Sequence, residues 1–326
     1  HTPALIMPPR AMPALQLVAL IFAVWVPVST STHVADNEHV PGESFGWRKH
    51  GASGHSGSEM TGAGHPGIEM ADLDGPCTVD RVDVSQFPTL HDFHTAHRAN
   101  GGLPVVVTGL FDANREFREM SHKDALLKRW GDATIVLSTA NTHSYSKVTK
   151  TLREYVDEHV SIPQDLKTPG NETLYWFGDN DHASWSPHFE KYERPPLIPH
   201  DADVALSFGI GGANSGVPLH VHGPGFSETV IGRKRWWLAP PTPKPRFDPN
   251  ATALEWVLRH SEKTKNHIDV PFLACTVHEG EAIYFPNGWW HLTLNLDESV
   301  FMSSFVNYAW VAEAEFSAKN DDAFEL

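Results

Sequence analysis

The sequence predicts a mainly β fold, a barrel or sandwich with helices packed outside it, and three observations carry that expectation. Short β-branched and aromatic segments separated by turn residues crowd the second half of the chain: ETLYWFG at 172–178, DVALSFGI at 203–210, PLHVH at 218–222, FSETVIG at 226–232, RWWLA at 235–239, EAIYFP at 281–286, HLTLNL at 291–296 and SVFMSSF at 299–305. Helical spacing is confined to a few stretches and does not alternate with strands as a doubly wound parallel sheet requires. Finally, 11 Trp and 17 Phe in a chain of 40% hydrophobic residues supply a core that a disordered acidic chain would lack.

In chain order, Arg10 precedes an apolar run from Leu15 to Val28, broken by Gln16 and Pro27 and followed by the small polar residues 29–32. That run is shorter than the roughly 20 apolar residues of a membrane span, so residues 1–32 read as a secretory signal peptide. No second long apolar run follows, and no transmembrane anchor is expected after cleavage. Residues 33–76 contain GASGHSGSEMTGAGHPG and lack apolar periodicity, so they read as a flexible linker. The folded domain is expected over 77–310, with a C-terminal tail at 311–326. Within it, PVVVTGL at 104–110 reads as a strand, 117–130 has helical spacing, and ATIVLST at 133–139 returns to a strand. Residues 151–160 and 251–260 read as helices, the second capped by Asn250 or Thr252 and presenting Leu254, Val257 and Leu258 to a core.

Charge and compartment narrow the function. The 25 Lys plus Arg against 40 Asp plus Glu leave a formal charge of -15, which argues against a nucleic-acid partner. Asn171-Glu172-Thr173 and Asn250-Ala251-Thr252 are N-glycosylation acceptors beside turn-like sequence. Cys77 and Cys275 are the only thiols, and in an oxidising compartment a disulfide between them is expected; the alternative is two buried free thiols. These features together place the protein in the endoplasmic reticulum lumen or among secreted proteins.

The 21 His residues are the chemical excess of the chain. His220 and His222 are two residues apart, so on a strand they share a face and converge on one metal ion. His291 follows a turn at Gly288 and opens the segment HLTLNL. Neutral imidazole suits iron, zinc, copper or nickel, and two ligands from one segment with a third from a distant strand is how a barrel interior holds a metal. His91, His94 and His97 in HDFHTAH have no carboxylate or cysteine to complete a zinc signature and read as surface or capping groups.

The stretches GGANSGVPLHVHGPGFSETVIGRKRWWLAPP at 211–241 and EAIYFPNGWWHLTLNLD at 281–297 resemble the paired core motifs of Jumonji-C oxygenases, members of the cupin superfamily. STANTHSYSKV and YWFGDND extend the resemblance, toward an endoplasmic-reticulum-lumenal branch of that family, across most of residues 77–310. The resemblance implies a double-stranded β-helix (jelly-roll or cupin) core with flanking helices. It implies Fe(II) and 2-oxoglutarate as cofactors, with a luminal protein client as substrate or binding partner. His220 matches the first metal ligand and His291 the distal one. Lys234 matches the lysine that pairs with the far carboxylate of 2-oxoglutarate, and Asn295, four residues past His291, lines the pocket or supports the metal shell. His222 stands where the family has Asp or Glu. Three readings follow: His222 completes a three-histidine site, Glu228 supplies a carboxylate while His222 turns away, or metal binding and hydroxylation are lost and a partner-binding scaffold remains. Three neutral imidazoles would leave a divalent ion at +2 instead of the +1 of the usual set.

Overall fold

The computed structural model describes residues 43–50, 73–99, 102–144, 146–163, 173–260 and 270–306. The segment 1–32 expected to be a signal peptide, Asn171 and the tail expected at 311–326 lie outside them. The described residues begin with a small hairpin, β1 (Glu43–Ser44) and β2 (Trp47–Arg48). Next come β3 (Asp80–Asp83), α1 (Leu90–Ala99), β4 (Val105–Thr108), α2 (Arg115–Met120), α3 (Lys123–Trp130), β5 (Thr134–Thr139), β6 (Lys147–Thr151), α4 (Leu152–Tyr155), β7 (Leu174–Phe177) and α5 (His182–Phe189). The strand-rich half holds β8 (Val204–Gly211), β9 (Gly225–Ile231), β10 (Lys234–Ala239), α6 (Ala253–His260), β11 (Leu273–Val277), β12 (Glu281–Phe285), β13 (Trp290–Asn295) and β14 (Ser299–Val306).

The strands form a nine-stranded sheet, β3-β4-β12-β9-β14-β8-β7-β5-β6, and a three-stranded sheet, β11-β10-β13. Period-two alternation sorts their side chains. From the large sheet, Val106, Ile283 and Phe285 share one buried cluster with Trp236, Leu238, Cys275 and Val277 of the small sheet, so the two sheets face one another across a common interior. The opposite parity of the large sheet, Trp176, Phe208, Ile210, Val230 and Met302, packs under Phe117, Trp130, Tyr155 and Trp185 from the helices. The outer face of the small sheet, Leu292 and Leu294 with Trp237 beside them, is covered by Leu254, Trp256 and Val257 of α6. This is the mainly β, cupin-like core with flanking helices that the sequence predicts. The paired tryptophans follow the same rule, with Trp236 inside and Trp237 outside.

Local differences from the expectation have local causes. The stretch 117–130 is two helices, because His122 caps a second start by accepting from the backbone N–H of Asp124. Residues 151–160 begin with a capping box between Thr151 and Glu154 and then widen into a π turn over Val156–Val160. Thr252, not Asn250, caps α6, accepting from the Glu255 amide at 3.2 Å. The linker expected over 33–76 is corrected in part: Trp47 is 1% exposed and its Nε1 donates to the Ser121 carbonyl at 2.9 Å. Beside it, the buried Glu298 accepts from Arg48 Nε at 2.7 Å and from Lys123 Nζ at 3.2 Å, and Asp297 accepts from the His50 amide at 2.7 Å. One apolar anchor and these ion pairs outweigh the polar composition that suggested a spacer. The Cys77–Cys275 disulfide is formed and joins the segment leading into β3 to β11. No helix among the described residues is long and apolar enough to cross a membrane.

Candidate metal centre

PLHVH is not a strand, which corrects the expectation for 218–222. Instead, residues 214–222 run along the free edge of β13 as irregular backbone. Asn214 N donates to Asn295 O, Asn295 N to Ser215 O and Thr293 N to Val217 O, all at 2.8–2.9 Å. His220 and His291 then form an isolated antiparallel bridge, with N–H···O distances of 3.0 and 2.9 Å. Gly216 permits this approach, since a Cβ there would lie 1.9 Å from the Thr293 carbonyl oxygen. His222 is reached two residues later and is held by its carbonyl, which accepts from Gly288 N at 3.1 Å.

The result is convergence. His220, His222 and His291 each bring a ring nitrogen to a common point, all within 4.8 Å of one another, and they are the only such group of three among the described residues. Each Nδ1 faces a backbone carbonyl: Pro218 for His220 at 2.7 Å, Gly223 for His222 at 2.7 Å and Trp289 for His291 at 2.8 Å. A carbonyl only accepts, so Nδ1 carries the proton and every Nε2 is left with its lone pair. Two of those lone pairs, on His222 and His291, sit 3.0 Å apart. Without something between them they repel. Two nitrogens about 2.1 Å from one ion and at right angles across it would be about 3.0 Å apart, so the spacing suits a metal.

Electrostatics keep the donors neutral. Burial pushes the His220 pKa down to about 3, with His222 adding to the effect. Burial also lowers that of His222, and that of His291 falls well below the usual imidazole range through burial and its two imidazole neighbours. The walls are apolar: Phe285 and Trp236 stack on His291 at 5.2 and 5.6 Å, and Phe305 meets His222 edge-on at 4.8 Å.

Along the same inner face of β13 lies a second polar group. The register pairs Leu238 with His291 and Lys234 with Asn295, so Lys234 and Asn295 share the parity of the metal centre. Lys234 is 2% exposed; its Nζ donates to Tyr175 OH at 2.8 Å and Asn295 Oδ1 at 3.1 Å and lies 3.6 Å from the centre of the Phe301 ring. Among the described residues it has no carboxylate partner, and burial lowers its pKa well below the usual lysine range. Tyr175, which sequence reasoning treated only as part of a strand, is the residue it missed, since no local motif signals a tyrosine that meets a lysine 59 positions away.

Glu228 is not brought to the site, which corrects the alternative in which it supplies the metal carboxylate. It lies on the outward parity of β9, opposite Met302 of the helix-covered face, and accepts from Asn114 Nδ2 at 2.8 Å with Arg118 at 3.7 Å. Asn250 is exposed at the start of α6, while Thr252 of its acceptor triplet is buried.

The cupin-like domain family matches residues 91–315. The JmjC domain-containing protein 8 of Rattus norvegicus is 44% identical over 258 residues, covering 78% of this chain and 91% of the rat protein. This chain is a JmjC-domain member of the cupin-like family. The human JmjC domain-containing protein 8 is 45% identical over 253 residues, covering 77% and 92% of the two chains. A human 2-oxoglutarate and iron-dependent oxygenase is 25% identical over 216 residues, 58% of this chain and 49% of that one. Within this JmjC domain, the three-histidine cluster is the candidate metal centre expected at His220, His222 and His291, and it departs from the two-histidine, one-carboxylate set that the resemblance implies only at His222.

Proposed function

We propose that the protein is a metal-binding JmjC protein of the secretory pathway that acts as a 2-oxoglutarate and Fe(II)-dependent oxygenase, a hydroxylase, on a luminal protein. The observation that carries this reading is the meeting of three Nε2 lone pairs at one point of the barrel interior. The residues fit a divalent ion, because the donor atoms are neutral, unprotonated and spaced for it. They also suit a carboxylate at Lys234, a buried cation whose acceptors are all uncharged. In this reading His220, His222 and His291 hold the metal, Lys234 and Tyr175 receive the far carboxylate of 2-oxoglutarate, and Phe285, Phe305 and Trp236 keep water from the centre. Iron with 2-oxoglutarate supplies oxygen activation for attack on a C–H bond. Three neutral ligands leave the ion at +2, which favours a dianionic co-substrate despite the missing carboxylate. The disulfide, the apolar run at 15–28 and the acceptor sites Asn171 and Asn250 support passage through the secretory pathway and N-glycosylation.

A second reading, a JmjC scaffold that binds partner proteins and modulates signalling or trafficking without turnover, is favoured by two details. His222 occupies the carboxylate's place, and the Phe301 ring covers one side of the Lys234 ammonium. Anaerobic Fe(II) loading followed by 2-oxoglutarate turnover separates the two. Carbon dioxide release that depends on metal and is abolished in His220→Ala and His291→Ala supports the oxygenase. Folded, metal-loaded wild type that never turns over sinks it.

A further inference from the structure

Lys234 and Asn295 are cross-strand partners in the β10–β13 pair, and Asn295 is fully buried. A buried ammonium ordinarily has a carboxylate beside it, because an unpaired interior charge is costly. Here the position such a partner would take is filled by an amide. Its orientation is set by two donations, from Asn295 Nδ2 to Ser215 Oγ at 3.2 Å and to Tyr175 OH at 3.3 Å, which leave Oδ1 for Lys234. Gly211 makes the space, since a Cβ there would lie 2.2 Å from Asn295 Nδ2 and 2.6 Å from the Tyr175 ring. Tyr175 OH thus accepts from both Lys234 and Asn295, and its own proton has no acceptor among the described residues. The pocket therefore holds a lysine amine with no anion beside it among the described residues, a spare hydroxyl donor, and an amide that holds the lysine without supplying a counter-charge.

We propose that Asn295 is a specificity-determining residue of this pocket: by standing as a neutral amide in the counter-ion position, it leaves Lys234 and Tyr175 available to a carboxylate-bearing ligand. The proposal rests on the reading of this pocket as the seat of the far carboxylate of 2-oxoglutarate. Asn295→Asp is nearly isosteric, yet it would pair with Lys234 internally and repel an incoming anion. Asn295→Ser stays neutral.

The test uses the full chain loaded with Zn(II), which undergoes no redox chemistry, and compares wild type, Asn295→Asp and Asn295→Ser. Calorimetric titration with 2-oxoglutarate should show Asn295→Asp weakened by at least about tenfold, or about 1.4 kcal/mol, with Asn295→Ser within a few-fold of wild type. Without ligand, Asn295→Asp should melt above wild type, because Lys234 gains its missing partner. Equal binding by wild type and Asn295→Asp overturns the proposal, as does an equal loss in Asn295→Ser, which would make the effect one of packing. If wild type takes up no 2-oxoglutarate, the cofactor reading fails, and ligand-free melting still decides the role of Asn295. A higher melting temperature in Asn295→Asp upholds it; an unchanged or lower one overturns it.

Discussion

Two buried charged clusters lie on either side of the nine-stranded sheet, and only one is electrically closed. On the outer face, Glu228 faces Arg118 at 3.7 Å and accepts from Asn114 at 2.8 Å, while Arg118 donates to the Val230 and Phe111 carbonyls at 2.9 and 2.7 Å. Burial pushes the Glu228 pKa up to about 7 against the opposing pull of Arg118, and burial also lowers that of Arg118. On the inner face, Lys234 has hydroxyl, amide and aromatic neighbours and no anion. A charge that has its opposite beside it holds elements together. A charge left unmatched in the same degree of burial has a ligand to find.

That contrast can be broken by stability measurements. Arg118→Met strands Glu228 and two carbonyls, and is expected to cost about 3–5 kcal/mol in chemical denaturation, with metal binding by the folded fraction unchanged. Lys234→Met removes a buried amine that has no anion beside it and lies next to Phe301, and is expected to change stability by about 1 kcal/mol or less, or to raise it, while abolishing 2-oxoglutarate binding. Similar losses in the two variants would erase the distinction. A smaller effect sharpens it through pH. The folded pKa of Glu228 lies above its ordinary value of 4.5, so the folded state holds the extra proton and the glutamate's contribution to stability falls as pH rises from about 4.5 to about 7. Glu228→Gln should flatten melting temperature against pH across that window; an unchanged slope would assign the titration to another group.

The comparison also explains what the residue pattern revealed. The strand-rich class and the His220–His222 pair were readable because they depend on alternation and short spacing, and His291 because it stands in the second of the paired motifs that carry the family resemblance. His220 and His222 meet His291 by a route that spacing did not show: Gly216 lets irregular backbone lie against β13, and the bridge to His291 replaces a strand. Glu228 does not reach the histidines, because the irregular segment that carries His222 ends before β9 begins at Gly225 and β9 turns Glu228 to the helix-covered face opposite Met302. Tyr175 and the Trp47 anchor were hidden for a different reason. Each acts through a partner distant in sequence, Lys234 for one and Ser121 for the other, and no local pattern encodes such a contact.

The central claim is that the three imidazoles hold a metal ion. Anaerobic reconstitution with Fe(II), followed by metal quantification and X-ray absorption at the iron edge, tests it most directly. The account predicts one ion per chain with imidazole nitrogen ligation, lost in His220→Ala and His291→Ala and weakened in His222→Ala. Folded wild-type protein that takes up no metal, or a His220→Ala/His291→Ala double variant that binds it as well as wild type, would contradict the account.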